Sequence, residues 1–403
     1  MNRKRIVVTG LGVVTSIGIG KDVFWDNLIK GKSGISEVDA FDTSKHFVHF
    51  GGQIRDFHPG DFMDKKKIKL MARASHLAIA AAKLAIEDAG LNLQEAVFKN
   101  TAVLLGTTSG EAQKIEEMDS DWVKKGHGSI DLWSIQQYPV NNISSNLAME
   151  FKIEGINRIF TTACSAGNYA IGYGLDLLRL GKADLVIAGG ADAFSYLSFT
   201  GFGQVGAMAP LKCQPFDKNR KGMLQGEGSG ILILETEESA KRRKAGTYAE
   251  ILDYGLSCDA HHMTNPNEDG VTRCMQNALA RAGLKSEDVD YISAHGTGTR
   301  NNDKTESAAI NKVFNNRKVP VSSIKSMLGH CMGAASAIEA ITCCLAVKND
   351  IVPPTINYET PDPECDIDCV PNVSRKQKVN IALNNGFAFG GNNACLVVKK
   401  WSR

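Results

Sequence analysis

The chain has 403 residues, of which 43% are hydrophobic and 22% are charged, and its 46 basic and 44 acidic residues leave a net charge of +2. This balance argues against a strongly basic nucleic-acid-binding protein, so we expect no nucleic-acid partner. No run reaches about 18 uninterrupted apolar residues, so we expect no membrane-spanning helix and no membrane partner. The length allows a large core and, at about 150 residues each, two or three domains.

The N-terminal stretch is basic and then apolar, as a signal peptide would be, and reads MNRKRIVVTGLGVVTSIG. Polar and glycine residues interrupt the apolar run and no A-x-A site follows, so we interpret residues 5–9 as a strand and Gly10-Leu11-Gly12 as the following turn. A dinucleotide-binding fingerprint is rejected there, because Thr15 occupies the third glycine position. The ten scattered cysteines contain no pair of CxxC motifs, which favours free thiols in the cytoplasm over a zinc site.

A long helix is predicted from Leu70 to Ile86, with Gly90 at its C-terminal end. A basic run precedes or opens it, at Lys65, Lys66, Lys67 and Lys69. Such a run is usually a solvated face, but it could dock an acidic partner. Residues 101–110 then predict a strand and a turn.

Cys164 lies in the stretch TTACSAGNYAIG, between the apolar segment IEGINRIF, which predicts a buried strand, and a buried helix from Tyr169 to Leu180. A cysteine at the N-terminus of a helix is expected to favour its thiolate form. Backbone N–H groups at such a turn can also face a reacting carbon. The alternative is a buried structural cysteine, because cysteine is often buried.

Further apolar strands are predicted at residues 183–190 and 230–235, and helical runs lie between strands, so the fold class is α/β with covered sheets. An internal repeat is also present, since Ala89-Gly90-Leu91 matches Ala282-Gly283-Leu284 at a shift of 193 residues. In both copies a helix, glycine cap, spacer, strand and Gly/Thr turn follow in the same order. We therefore predict two similar halves, residues 1–250 and 251–403, with a site between them.

Three motifs in the second half carry polar residues at element ends. AHGTGT places His295 after the strand VDYISA, KSMLGHCMGAAS places His330 five residues after Lys325, and NNGFAFGGNNA leads into the last strand. Taken alone, each histidine could be structural and the glycines could serve a tight turn. Together with Cys164 they match a thiol nucleophile with two imidazoles that handle charge at a carbonyl group.

These motifs resemble the β-ketoacyl-[acyl-carrier-protein] synthases, particularly bacterial type II enzymes similar to synthase II. The resemblance covers essentially the whole chain and includes TACSAG, VIAGGADA, AHGTGT, SSIKSMLGHCMGAA and FAFGGNNA. It implies a duplicated thiolase-like fold, layered α-β-α-β-α with mixed five-stranded sheets. It also implies a decarboxylative condensation that needs no metal or organic cofactor, because the phosphopantetheine arrives on the acyl carrier protein.

The resemblance implies a role for each matching residue. Cys164 would accept the acyl chain, while His295 and His330 would assist malonyl decarboxylation. The backbone of Cys164 and Phe389 would form the oxyanion hole, and Phe389 would also act as a gate. Lys325 and Glu306 match supporting charges. The expected substrate-binding residues are Thr264, Thr297, Thr299, Glu111, Gly390 and Gly391. The expected carrier-docking residues are Lys65, Lys66, Lys67 and Lys69.

Several positions depart from the family pattern. Glu111 stands where an apolar residue often closes the acyl pocket, so either its costly carboxylate turns away or the pocket takes something other than a long saturated chain. Ala388 and Asn392 lie beside the gate, Met223 replaces a common phenylalanine, and Lys221 replaces an acidic residue. These changes favour a specialised polyketide or polyene pathway over primary fatty-acid synthesis.

Two other functions remain to be weighed. A non-catalytic chain-length factor would pair with an active synthase, but such partners lack the nucleophilic cysteine. A degradative thiolase shares the fold but normally uses two cysteines and one histidine in different motifs. We expect a homodimer, or a heterodimer with a homologous chain-length factor.

Overall fold

A computed structural model describes residues 3–92 and 100–402. The strands are β1 Ile6–Thr15, β2 Gly18–Ile19, β3 Ser36–Glu37, β4 Phe50–Gly51, β5 Thr101–Gly106, β6 Asn157–Phe160, β7 Leu185–Asp192, β8 Gly228–Thr236, β9 Ala249–Cys258, β10 Tyr291–Ser293, β11 Val321–Ser322, β12 Ile351–Val352, β13 Arg375–Lys376, β14 Ile381–Phe387 and β15 Asn392–Lys400. The helices are α1 Lys21–Ile29, α2 Lys65–Ile68, α3 Arg73–Asp88, α4 Ala112–Lys125, α5 Leu132–Gln137, α6 Asn142–Phe151, α7 Ala166–Arg179, α8 Tyr196–Gln204, α9 Glu237–Arg242, α10 Glu268–Ala282, α11 Arg300–Val313, α12 Lys325–Leu328 and α13 Ala335–Asn349.

Ten of the strands form two five-stranded sets with the same arrangement. The first has the order β6-β5-β7-β8-β1 and the second the order β11-β10-β14-β15-β9. In each set the first three strands are parallel, and the next two strands are antiparallel to their neighbours. The predicted duplicated α/β fold with mixed five-stranded sheets is therefore confirmed. The sets also join at one corner, where Ile6–Val8 of β1 pairs with residues 249–251 of β9.

Helices separate and cover the two sets of strands. The helices α7 and α13 contact each other and form the middle layer, with α7 against β5 and β7 and α13 against β8, β14 and β15. On the outside, α3 packs on β1 and β8, while α10 packs on β9 and β15. A middle layer contacts protein on every side, which explains why α13 buries every residue from Ala335 to Val347.

The turn predicted at Gly10-Leu11-Gly12 is wrong, because β1 continues through it to Thr15 and is buried throughout. The two glycines serve a close approach of α3 instead. A Cβ atom at Gly10 would lie 2.2 Å from the carbonyl oxygen of Ala85, and one at Gly12 would lie 1.8 Å from that of Ala81. Any side chain at either position would push α3 off the sheet.

The predicted long helix is present as α3 but starts at Arg73, and Gly90 follows its C-terminal end with a φ of +63°. The spacer predicted after Gly90 in the first copy of the repeat falls partly on residues 93–99, which lie outside the described residues. The proposed division after residue 250 falls inside β9 and stays a prediction. No helix within residues 3–92 and 100–402 is both long and apolar enough to cross a membrane.

Candidate active site

Two turns in equivalent places of the fold present the central side chains. Cys164 lies in a 3-10 turn, Ala163–Ser165, that leads directly into α7. Another 3-10 turn, Met332–Ala334, follows His330 and leads into α13. Ala163 and Met332 have positive φ angles of +48° and +51°, a conformation that costs energy in residues with a side chain and that persists where the surroundings enforce it. Both turns are therefore held in shape by the packing of α7 against α13.

The sulfur of Cys164 and one ring nitrogen each from His295 and His330 lie within 4.8 Å of one another. The two imidazole rings are 5.4 Å apart between centroids and nearly perpendicular. All three side chains are buried, with exposed fractions of 6%, 3% and 1%. In the described part of the chain this is also the one group of His, Cys, Asp and Glu close enough to share a metal ion.

The position of Cys164 before a helix predicts a favoured thiolate. The structure instead favours the thiol. Burial raises the pKa of this thiol to about 11. The Lys325 ammonium and backbone hydrogen bonds from Cys164 itself and from Phe389 act in the opposite direction but do not cancel the cost of burial. The backbone N–H groups of Cys164 and Phe389 thus favour negative charge at the sulfur.

Both histidines are neutral at physiological pH. Burial, and then the positive charge of Lys325, lowers the pKa of His295 and of His330 well below the ordinary value. The N–H of Met332 donates to Nδ1 of His330 over 3.1 Å, so the ring proton is assigned to Nε2. This Nε2 is buried without a protein partner among the described residues. It is thus a free donor that faces the site.

Lys325 is buried and forms an ion pair with Glu339 of α13. Glu339 could not be selected from sequence, because a single carboxylate inside an apolar helix belongs to no motif. Glu306 does not share this pair. Its carboxylate accepts hydrogen bonds from the backbone N–H groups of His295 and Gly296, over 2.9 and 2.8 Å. Glu306 therefore fixes the backbone that carries His295.

Asp192, at the end of β7, was also missed by sequence reasoning. Its buried carboxylate accepts hydrogen bonds from the side chain of Thr107 and from the N–H groups of Thr108, Ser109 and Gly333. Burial raises its pKa to about 6. Asp192 thus connects the loop after β5 with the turn that follows His330. The acidic residue in VIAGGADA was the available signal.

A cavity of about 570 Å³ leads from the surface to Cys164, His295 and His330. Among the predicted substrate-binding residues, Thr264, Thr297, Thr299 and Gly391 line this cavity, as does Phe389. Gly390 does not line it. Its N–H donates to the carbonyl oxygen of Met263 over 2.8 Å, which ties the glycine-rich turn to the loop that carries Thr264.

The Phe389 ring stacks at a tilt on Phe202 of α8, with 5.7 Å between the ring centroids. Both rings line the same cavity. The backbone of Phe389 thus acts on the Cys164 sulfur, and its side chain forms part of the cavity wall.

The structure corrects the prediction that Glu111 binds substrate. Glu111 is buried, but its carboxylate turns to the N-terminal end of α3 and not into the cavity. It accepts hydrogen bonds from the N–H groups of Ala74 and Ser75, over 3.1 and 2.9 Å, and from the Ser75 hydroxyl. These groups would otherwise lack partners, because the N-cap residue Ala72 has no side-chain acceptor. The carboxylate is thus a remote cap for α3.

The predicted docking lysines are exposed on the short helix α2 and directly after it. Lys67 forms an ion pair with Glu150 over 2.7 Å. The described residues supply no such partner for Lys65, Lys66 or Lys69.

The chain matches family models and curated relatives over nearly its whole length. A family model described as the N-terminal domain of β-ketoacyl synthase matches residues 3–240, and one described as the C-terminal domain matches residues 248–359. The chain is 42% identical to the 3-oxoacyl-[acyl-carrier-protein] synthase 2 of Synechocystis sp., covering 100% of the chain and 99% of the relative. It is 38% identical to the enzyme of the same name from Coxiella burnetii, covering 99% of each.

Two solved structures are also similar. The ishigamide ketosynthase/chain length factor has a TM-score of 0.97 at 43% identity, covering 99% of this chain and 100% of that one. A type II polyketide synthase acyl-carrier protein in complex with its ketosynthase bound to the hexaketide has a TM-score of 0.91 at 32% identity, covering 100% of each chain.

Proposed function

Because this chain belongs to the β-ketoacyl synthase family and is a condensing enzyme of chain elongation, we propose that Cys164 carries the growing acyl group and that malonyl-acyl carrier protein extends it. The observation that carries this proposal is the convergence of one sulfur and two imidazole nitrogens within 4.8 Å at the inner end of the cavity. The reaction releases CO₂ and gives a β-ketoacyl group on the carrier.

In the first step Cys164 exchanges one thioester for another. Its sulfur bonds to the acyl carbonyl carbon, the carbon–sulfur bond to the carrier breaks, and the thiol proton ends on the departing carrier thiol. The N–H groups of Cys164 and Phe389, which favour negative charge beside the sulfur, stabilise the negative charge that develops on the carbonyl oxygen. Because the free thiol has a pKa of about 11, its proton must be removed as it attacks, and a neutral imidazole within 4.8 Å is suited to accept it transiently.

In the second step malonyl-carrier loses CO₂, and the electrons of the broken carbon–carbon bond form an enolate. The Nε2–H of His330 is placed to donate to the enolate oxygen, and His295 supports the same charge from the other side. The enolate carbon then attacks the acyl carbonyl on Cys164, and the Cys164 sulfur leaves. Burial, and then the positive charge of Lys325, lowers the pKa of both imidazoles, so each stays neutral and able to donate one hydrogen bond.

We infer that the acyl chain is a polyketide or polyene intermediate. The support is the similarity to a ketosynthase named for ishigamide and to one bound to a hexaketide, together with the departures at Met223 and Ala388, both of which line the cavity. Mass spectrometry of carrier-bound products from a panel of saturated and unsaturated primers would test this. Preferential elongation of long saturated primers would contradict it.

We propose that the carrier docks on Lys65, Lys66 and Lys69, which have no acidic partner in the described residues, with Lys67 partly neutralised by Glu150. Opposite charges accelerate such encounters. Reversing Lys65, Lys66 and Lys69 to glutamate should raise the KM for acyl-carrier and leave kcat nearly unchanged. An unchanged KM would remove this surface from the proposal.

We also propose a second, homologous subunit, either a copy of this chain or a chain-length factor. Its contact would include β6, which pairs with β5 alone among the described strands, and the exposed apolar side chains of residues 122–149. These side chains are Trp122, Val123, Leu132, Trp133, Ile135, Tyr138, Val140 and Met149. The presence of Cys164 supports an active synthase over the chain-length factor itself.

The central test compares Cys164→Ala with Cys258→Ala, an exposed cysteine outside the site. With acyl-carrier, the intact mass of the wild type and of Cys258→Ala should increase by one acyl group, and malonyl-carrier should then release CO₂ and β-ketoacyl-carrier. Cys164→Ala should show neither acylation nor condensation. Retained elongation by Cys164→Ala would disprove the assignment of the nucleophile.

A further inference from the structure

Two basic side chains lie at the outer end of the active-site cavity. Lys221 and Arg300 both line it, and both are exposed, in contrast to the buried residues at its inner end. Their segments are held together, because the N–H of Gly222 donates to the carbonyl oxygen of Gly298 over 2.9 Å. The exposed part of the cavity lining therefore carries two positive charges.

Neither cation has a bonding partner among the described residues. In the described ranges, the side chains of Lys221 and Arg300 form no ion pair and no hydrogen bond, whereas neighbouring Arg220 pairs with Asp303 and Asp362. The acidic residue of the cavity wall, Asp259, is already engaged. Its oxygens accept from the Asn393 side chain over 2.6 Å and from the N–H of Asn267 over 3.0 Å.

We infer that Lys221 and Arg300 bind the phosphate of the phosphopantetheine arm as it enters the cavity. This inference rests on the proposed function, which brings a thioester on such an arm to Cys164. The arm has an anionic phosphate at its outer end and a neutral, hydrogen-bonding chain beyond it. Lys221 and Arg300 match the phosphate, and the hydroxyls of Thr297 and Thr299, which lie 2.8 Å apart in the same cavity, match the neutral chain.

The alternative target is a carboxylate on the surface of the carrier protein. Both targets are anionic. The free arm, without the carrier protein, carries the phosphate but no carrier carboxylate. The free arm therefore separates the two sources.

The probes are 4′-phosphopantetheine and pantetheine, which differ only in the phosphate. Each is used to protect Cys164 from iodoacetamide, with alkylation read by mass spectrometry. In the wild type, 4′-phosphopantetheine should protect about tenfold more tightly than pantetheine, and added salt should reduce this preference. Lys221→Ala and Arg300→Ala should each reduce it about threefold, and the double variant should abolish it. Lys218→Ala, an exposed lysine outside the cavity, is the matched control and should behave as the wild type.

Equal protection by the two probes in the wild type, or a preference that survives in the double variant, would overturn the phosphate subsite. So would a double variant that keeps the preference for the free phosphorylated arm but shows a higher KM for acyl-carrier, because the cations would then contact the carrier surface. Failure of the proposed function is read separately, from the acylation of Cys164 by acyl-carrier. Unchanged melting temperatures will show that the variants fold.

Discussion

At the scale of single residues, burial sets the main direction of the pKa shifts in the site, and the charge of Lys325 acts second on all three central side chains without a hydrogen bond to them. Its buried ammonium is paired with Glu339 on α13, and its charge acts on Cys164, His295 and His330 together. The same charge lowers the pKa of the thiol and those of the two imidazoles. One residue therefore adjusts the nucleophile and both hydrogen-bond donors.

This arrangement predicts how Cys164 responds to pH. With a pKa of about 11, the thiolate fraction and the rate of alkylation by iodoacetamide should rise about tenfold per pH unit from pH 7 to pH 10, without a plateau. Lys325→Met removes the charge that lowers this pKa, so the rate at pH 8 should fall by roughly tenfold.

Glu339→Gln is the matched control, because it alters the same ion pair but keeps the ammonium, and its alkylation rate should not fall. Loss of rate in both variants would mean that the ion pair acts only by holding the structure. A plateau near pH 8 in the wild type would contradict the raised pKa of the thiol.

Sequence reasoning found the residues of this site that stand in motifs and missed those that support them from elsewhere. Cys164, His295 and His330 each lie at the end of an element beside small residues, so their motifs pointed to chemistry. Glu339 and Asp192 support the site by contacting residues that lie 14 or more positions away in the chain. Such contacts depend on how α13 and β7 pack, which local patterns do not record.

At the scale of elements, the N-terminal end of α3 shows a helix cap borrowed from another part of the chain. Glu111 lies at the start of α4 and satisfies N–H groups of Ala74 and Ser75, although the N-cap residue Ala72 cannot. The sequence predicted α3 well, from the spacing of its apolar residues. The sequence left the direction of the Glu111 carboxylate open, because the direction of a side chain at a loop depends on the unpaired groups nearby.

We expect Glu111→Ala to lower the free energy of unfolding by about 1–3 kcal/mol, because it leaves buried N–H groups without acceptors. Urea denaturation measures this loss. Glu117→Ala, at an exposed position on the same helix α4, should change stability by less than about 0.5 kcal/mol. The lengths of the acyl products should be the same for both variants. A change of length in Glu111→Ala alone would place the carboxylate in the acyl pocket after all.

At the scale of the whole molecule, two similar halves place their residues around one site. The nucleophile comes from the first half, and both histidines and the ion pair of Lys325 come from the second. The repeat at a shift of 193 residues predicted this duplication from sequence. The pairing of β1 with β9, which joins the two sets of strands, could not be predicted, because the pattern of an apolar strand does not specify which other strand it pairs with.

The proposed second subunit predicts the size of the particle in solution. Trp133→Glu places a charge among the exposed apolar side chains of residues 122–149, and it should halve the mass measured by light scattering after size-exclusion chromatography. Val373→Glu, at an exposed apolar residue elsewhere, should leave the mass unchanged. A wild type of 43.5 kDa at micromolar concentration would rule out the homodimer and leave a homologous partner as the remaining form.

The position of β1 has a consequence for how the chain is made. Apart from the two-residue β2, its partners are β8, from Gly228, and β9, from Ala249, so the first apolar strand leaves the ribosome more than 200 residues before either of them. At about 5–20 residues per second, that interval lasts at least ten seconds. During it, a ten-residue strand destined for complete burial stays without its sheet. We expect nascent chains of this enzyme to depend on holdase chaperones until the second half begins to emerge.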